Sequence, residues 1–300
     1  MRIAPIALAA YRFLTDARYR HLYWQRRIEN IALRERWAHH SVETLPAASA
    51  PASAESEILA RDGILRLESL LSAKEIADIR AYLEAHRAYD PHHPRLGEFD
   101  APHDAPPEAR IAHYADTVVV AAPHVLRLAN HPRILPVVTH ILGAKPTISY
   151  MAIWWSMVHG QPAEREQLFH RDYDDFRFLK LFFYLDDVDA ASGPHQYVRG
   201  SHRDARLLPR RRYSDDEVAQ SYAADDRLEI TGAAGTAFLE NTFGLHRGLP
   251  PRSKPRLMLQ ILYCLRPDTG GPRRPLCAVA ADQDGVQLDP YINRIYVTVR

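Results

Sequence analysis

The sequence predicts a mainly β protein with flanking helices, folded as an antiparallel sandwich or jelly roll. After Lys145 the chain turns to short runs rich in β-branched and aromatic residues, at 147–158, 178–185, 196–198, 237–239, 256–264 and 292–299. Gly and Pro turns separate these runs. No helical stretch between them is long enough for the crossover that parallel strands require.

The elements follow in chain order. Residues 11–38 read as a basic helix, with Tyr11, Leu14, Leu22, Ile28, Ile31 and Trp37 as a stripe that packs on the domain or meets an anionic surface. A small-residue, Pro-containing linker at 45–54 follows, expected to be mobile. The expected division is therefore residues 1–55 for helix and linker, and 56–300 for the main domain. A strand at 63–67 opens that domain. Ser72 and Glu75 then match a capping box, in which the Ser oxygen accepts from the third helical N–H and the Glu reaches back. Ile76, Ile79, Tyr82 and Leu83 line one face of the helix so opened. Residues 90–110 carry five prolines and three histidines and predict a loop that lids or lines a site. A helix at 132–142 ends at Gly143, a natural C-cap. The strand runs then continue to the C-terminus.

Composition excludes several classes. The chain has 300 residues, 46% hydrophobic and 25% charged, with a formal net charge of +1. That is ordinary for a globular protein and unlike a dedicated nucleic-acid binder or a disordered chain. Two Cys cannot build a disulfide framework, so a reduced, cytoplasmic setting is expected. No apolar run reaches the roughly 18 residues of a membrane span. The apolar start at 3–10 is short and lacks a clear cleavage site, so a signal peptide is not expected. The basic residues are 34 Arg and 4 Lys, a bias attributed to genomic base composition.

The chemistry-bearing constellation begins at Phe169-His170-Arg171-Asp172. On an extended segment His170 and Asp172 point the same way and can take adjacent corners of one metal. Two His and one carboxylate leave open positions on an octahedral iron. A kinase catalytic loop also begins His-Arg-Asp, but it places Asn five residues beyond the Asp; here that position is Arg177, and no Gly-rich phosphate loop precedes it. His195, His202 and His246 are candidates for a third ligand. His246 has the best surroundings, starting a segment after a turn. Ten residues on, Arg256 opens a period-two strand with Met258, Gln260 and Leu262 on its face. An Arg on an apolar inner face needs an anion, and a carboxylate suits its fork; at the barrel rim it would pair with a surface acid instead.

With these residues the sequence resembles the phytanoyl-CoA dioxygenase-like branch of the Fe(II)/2-oxoglutarate-dependent oxygenases. The matching pieces are residues 169–172, the strand and turn 180–188, Gly193-Pro194 through Gly200-Ser201-His202, and His246-Arg247-Gly248 with Arg256, spread over roughly residues 62–266. The resemblance implies a double-stranded β-helix, cupin-like fold. It implies that His170, Asp172 and His246 bind Fe(II), and that Arg256 holds the distal carboxylate of 2-oxoglutarate. It further implies hydroxylation of a small-molecule substrate with O2, releasing succinate and CO2. The carboxylate at 172 favours hydroxylation or desaturation over halogenation, since related halogenases carry a small residue there. Arg199 stands where the family often has Pro. Position 248 is Gly where many relatives carry a hydroxyl, which leaves a second 2-oxoglutarate contact open.

Other positions carry two readings. Lys180 shares a face with Phe178, Phe182 and Tyr184; inside the barrel its ammonium would need a carboxylate, from 2-oxoglutarate or an acidic substrate, and outside it lies on the wall. Gln167 either touches the cosubstrate or belongs to a loop. Asp186 and Asp187 read as turn residues rather than metal ligands. The Arg-rich stretches 199–212 and 241–263 either favour an anionic substrate or form a solvated surface. Two other functions compete: a non-catalytic cupin-like binding or regulatory module, and a 2-oxoglutarate-independent cupin metalloenzyme. Nothing indicates nucleic acid as a partner.

Overall fold

A computed structural model describes residues 5–300. Eleven strands form the barrel region: β1 (Ile64–Leu67), β2 (Ala88–Tyr89), β3 (Glu98–Phe99), β4 (Ile111–His113), β5 (Thr147–Ser156), β6 (Phe178–Tyr184), β7 (His195–Val198), β8 (Arg227–Ile230), β9 (Ala237–Glu240), β10 (His246–Gly248) and β11 (Arg256–Cys264). Eight join in one antiparallel sheet of order β1-β9-β6-β11-β5-β4-β2-β3, and β10-β7-β8 form a second. This is the double-stranded β-helix. Residues that alternate along each strand divide between two cores. Leu179, Leu181 and Phe183 of β6 and Leu257, Leu259 and Ile261 of β11 face outward into the large core covered by helices. Phe182, Tyr184, Phe238, Met258 and Tyr197 face inward and fill the space between the sheets.

The register brings the site together. Lys180 lies opposite Glu240 and Leu262, and Arg256 opposite Ser156. His170 and His246 form an isolated antiparallel bridge, each backbone N–H donating to the other's carbonyl at 3.0 Å. The Asp172 N–H donates to the Thr242 carbonyl at 2.8 Å. Residues 70 positions apart in sequence are thus paired by backbone bonds.

The helices depart from expectation at the N-terminus. The single helix expected at 11–38 is three: α1 (Pro5–Thr15), α2 (Ala17–Gln25) and α3 (Ile31–Glu43). Asp16 and Asn30 break it, because each side chain caps the helix that follows. The expected buried stripe fails with it: Tyr11 is 64% exposed, Leu14 75% and Trp37 47%, while Leu22 is buried. Gln25 and Arg34 are buried instead. The 45–54 stretch runs along the helix Leu135–Leu142, with Pro46 O accepting from Lys145 N–H and Ala50 O meeting His140 Nδ1. The division expected at 55/56 falls inside the helix α4 (Ala54–Asp62). The 72–75 capping box is present at the start of α5 (Ala73–Glu84). The last expected strand, 292–299, is a short helix Pro290–Asn293 and then a strand Val297–Val299, since Asp289 caps the helix and Pro290 is preset for its first turn. Among the described residues no helix is long and apolar enough to cross a membrane.

Candidate metal centre

His170, Asp172 and His246 converge. One ligand atom from each lies within 4.8 Å of the others. His170 Nε2 is 3.5 Å from Asp172 Oδ1, and His246 Nε2 is 3.3 Å from Asp172 Oδ2. Both rings are aimed by the backbone: Nδ1 of His170 meets Leu168 O at 2.9 Å and Nδ1 of His246 meets Gly244 O at 3.0 Å. A proton fixed on each Nδ1 leaves both Nε2 lone pairs facing inward, the tautomer a metal ligand needs. Two neutral imidazoles and a carboxylate suit a divalent first-row metal with open positions. His202 serves elsewhere, its Nε2 3.2 Å from Ala60 O. His195 is inside the barrel, its ring stacked on that of His246 with centroids 5.6 Å apart.

Lys180 points inward, and its ammonium finds two carboxylates of this chain. Nζ lies 2.6 Å from Asp172 Oδ2 and 2.8 Å from Asp174 Oδ2. Burial opposes its charge, but the two acids outweigh that and hold it above the ordinary lysine value. Burial likewise opposes the charge on Asp172, yet Lys180 and the two ligand histidines hold this carboxyl well below its usual range. Asp174, pushed by burial up to about 6, is the softer of the two acids. Lys180 therefore keeps the ligand carboxylate ionised and in place.

Arg256 is 3% exposed. Its Nη2 donates to Ser156 Oγ at 3.1 Å, and its Nε and Nη1 have no partner among the described residues. A buried guanidinium with an unfilled fork is the signature of an anion site. A Cβ on Gly248 would come within 3.1 Å of Nη2, so the missing side chain makes room for the fork. The hydroxyl beside the guanidinium comes from Ser156 on the neighbouring strand. Gln167 lies in a 3-10 turn, where its Oε1 accepts from Glu164 N–H at 3.1 Å and its Nε2 lies 3.2 Å from His159 Nε2.

Arg171, between the two first ligands, points away from the metal. It donates to the carbonyls of Ser201, Leu207, Asp204, Arg206 and Phe243 at 2.7–3.0 Å. Asp186 accepts from Leu257 N–H and Asp187 from Ala234 N–H, both as turn residues. Of the two Arg-rich stretches, four cations pair with acids: Arg206 with Asp204, Arg211 with Glu217, Arg212 with Glu166 and Arg247 with Asp215. Ser156 and Arg171 gained their roles from register, which no local motif announces.

Solved structures share this fold. EctD from S. alaskensis with bound Fe is 21% identical, covering 84% of this chain and 89% of that one, with a TM-score of 0.51. HygX from Streptomyces hygroscopicus with nickel and 2-oxoglutarate bound is 17% identical, covering 82% and 97%, also at 0.51. No curated protein sequence matches the chain. The phytanoyl-CoA dioxygenase (PhyH) family model matches residues 59–256, which span every piece of the site from β1 to Arg256, and the chain belongs to that family.

Proposed function

We propose that the protein is an Fe(II)/2-oxoglutarate-dependent dioxygenase that hydroxylates a small organic substrate, converting 2-oxoglutarate and O2 to succinate and CO2. The observation that carries this reading is the pairing, on one inner face, of a buried His-Asp-His triad with a buried guanidinium whose Nε and Nη1 are unpartnered. Both features fit the groups they would hold. When bound, iron(II) supplies the centre at which the keto acid and O2 react.

The chain's own contributions follow from its geometry. His170, Asp172 and His246 hold the metal through preset lone pairs. Arg256 takes the far carboxylate of the keto acid in its free fork, which orients the other end toward the triad. Phe182, Phe238 and Met258 line the inner face beside it and keep water from the slot. Tyr150, Trp154 and Gln260 are half-buried on the same face and form the wall open to a substrate.

Anaerobic titration of the full chain with Fe(II) and 2-oxoglutarate tests this directly. The expected result is the visible charge-transfer band of the metal-bound keto acid, absent in His170→Ala and Asp172→Ala. Metal binding with no 2-oxoglutarate binding would instead leave a cupin-like metalloenzyme that uses no keto acid.

A further inference from the structure

Two more buried polar groups adjoin the triad. Glu240, at the end of β9, is fully buried and neither carboxyl oxygen has a hydrogen-bond partner among the described residues. His195, at the start of β7, is 4% exposed. Its Nε2 lies 2.9 Å from Glu240 Oε2, but off the line of a hydrogen bond. Around them stand Phe182 and Phe238, with ring centroids 4.8 and 5.1 Å from the imidazole. Polar groups left unsatisfied in such a place are rare, because burying them without partners is costly.

Their position suggests what they meet. His195 lies opposite Gly248 in the β7–β10 pair, and Gly248 is the residue against which the Arg256 fork rests. On its other side the ring stacks on His246, a metal ligand. His195 thus adjoins both the His-Asp-His cluster and the residue on which the guanidinium rests, beside the span that a keto acid held at both ends would cross. Its Nδ1 has no protein hydrogen bond among the described residues. A carboxylate only accepts hydrogen bonds, so a ring that meets one at Nδ1 carries its proton there.

We propose that His195 is a cosubstrate-contacting residue, donating through Nδ1 to the 2-oxoglutarate carboxylate beside Arg256, and that Glu240 is the positioning residue that holds its ring. This rests on the proposed function and adds to the slot a donor that the triad and Arg256 do not provide.

The test uses the full chain loaded with Zn(II), titrated with 2-oxoglutarate by calorimetry. His195→Leu should weaken 2-oxoglutarate binding by about tenfold or more, the loss expected for one hydrogen bond to a charged group, with Zn(II) affinity unchanged. Glu240→Leu should weaken it in the same way, and Glu240→Gln, whose amide can donate to Nε2, should restore most of it. The wild-type protein provides a measure independent of any variant's folding: with ¹⁵N-histidine labelling, the His195 Nδ1–H resonance should sharpen and move downfield when 2-oxoglutarate is added. Unchanged affinity in His195→Leu, or an unmoved His195 resonance while 2-oxoglutarate binds, overturns the inference and leaves the proposed function standing. A wild-type protein that takes up Zn(II) and no 2-oxoglutarate overturns the proposed function itself.

Discussion

At the scale of single residues, the chemistry and its support share one tripeptide. In His170-Arg171-Asp172 the outer two side chains face the metal and the middle one faces the opposite way, as period-two alternation demands. Arg171 is 4% exposed and ties residues 201–207 and the turn at 243 to the ligand strand. Arg171→Ala should therefore cost roughly 3–5 kcal/mol in urea unfolding, because several buried carbonyls lose a charged donor at once. Arg171→Lys should recover little, since one ammonium cannot reach five carbonyls spread around a planar fork. The His-x-Asp pair was legible in the sequence because both ligands are local. His246 could be preferred only by its setting and by the family resemblance, since its pairing with His170 spans 75 residues of intervening chain. Glu240 was not legible at all: it ends an apolar strand and looks like the first polar residue of a turn.

At the scale of elements, strands with strong alternation were legible to their ends. β11 runs over the expected 256–264, and its Arg256, Met258, Gln260 and Leu262 do share the inward face. Helix ends were legible where capping chemistry is local, as at Ser72 and Gly143. The N-terminal region departs from one continuous helix because Asp16 and Asn30 each cap a new one. Gly63 illustrates an end that is doubly constrained. It closes α4 with φ of +79°, and a Cβ there would lie 2.1 Å from Tyr197 Oη and 2.4 Å from His202 Nδ1. Gly63→Ala should lose about 2 kcal/mol or more in thermal or urea melts, combining left-handed strain with displacement of both rings. The 90–110 loop is held by Asp90, which is fully buried and accepts from the N–H groups of His92, His93 and Arg110. Burial opposes its charge, but His93 and these N–H groups lower its pKa below the ordinary value of 3.8. A carboxyl depressed in the folded state contributes stability above its unfolded pKa, and that contribution disappears as pH falls through the folded value. Asp90→Asn should thus lower the melting temperature at pH 7 and have a smaller effect near pH 3. An equal effect at both pH values would show that the charge itself contributes nothing.

At the scale of the whole molecule, the N-terminal helices brace the metal strand from outside the barrel. His21 Nε2 meets Asp175 Oδ1 at 2.8 Å, Gln25 donates to Tyr173 O, and Arg34 donates to Asp175 O at 2.6 Å. Trp37 stacks on Phe176 with ring centroids 6.2 Å apart. All four contacts fall on residues 173–176, which directly follow the ligand Asp172 and contain Asp174, the second acid on Lys180. The sequence signalled a basic amphipathic element there but not its polar docking, because Arg34 is buried by backbone carbonyls that only the folded chain assembles. Burial pushes Arg34 down to about 10, still charged at neutral pH. Arg34→Ala should therefore destabilise by about 2–4 kcal/mol and also reach the metal from a distance. Amide exchange at residues 173–176 should rise, and divalent metal should bind several-fold more weakly although Arg34 touches no ligand. Unchanged exchange and metal affinity would mean that the β6–β9–β11 sheet alone sets the position of Asp172. The expected result would make α2 and α3 a working part of the site, because the carboxylate that Lys180 holds from within the barrel is fixed from without by the helices that precede it.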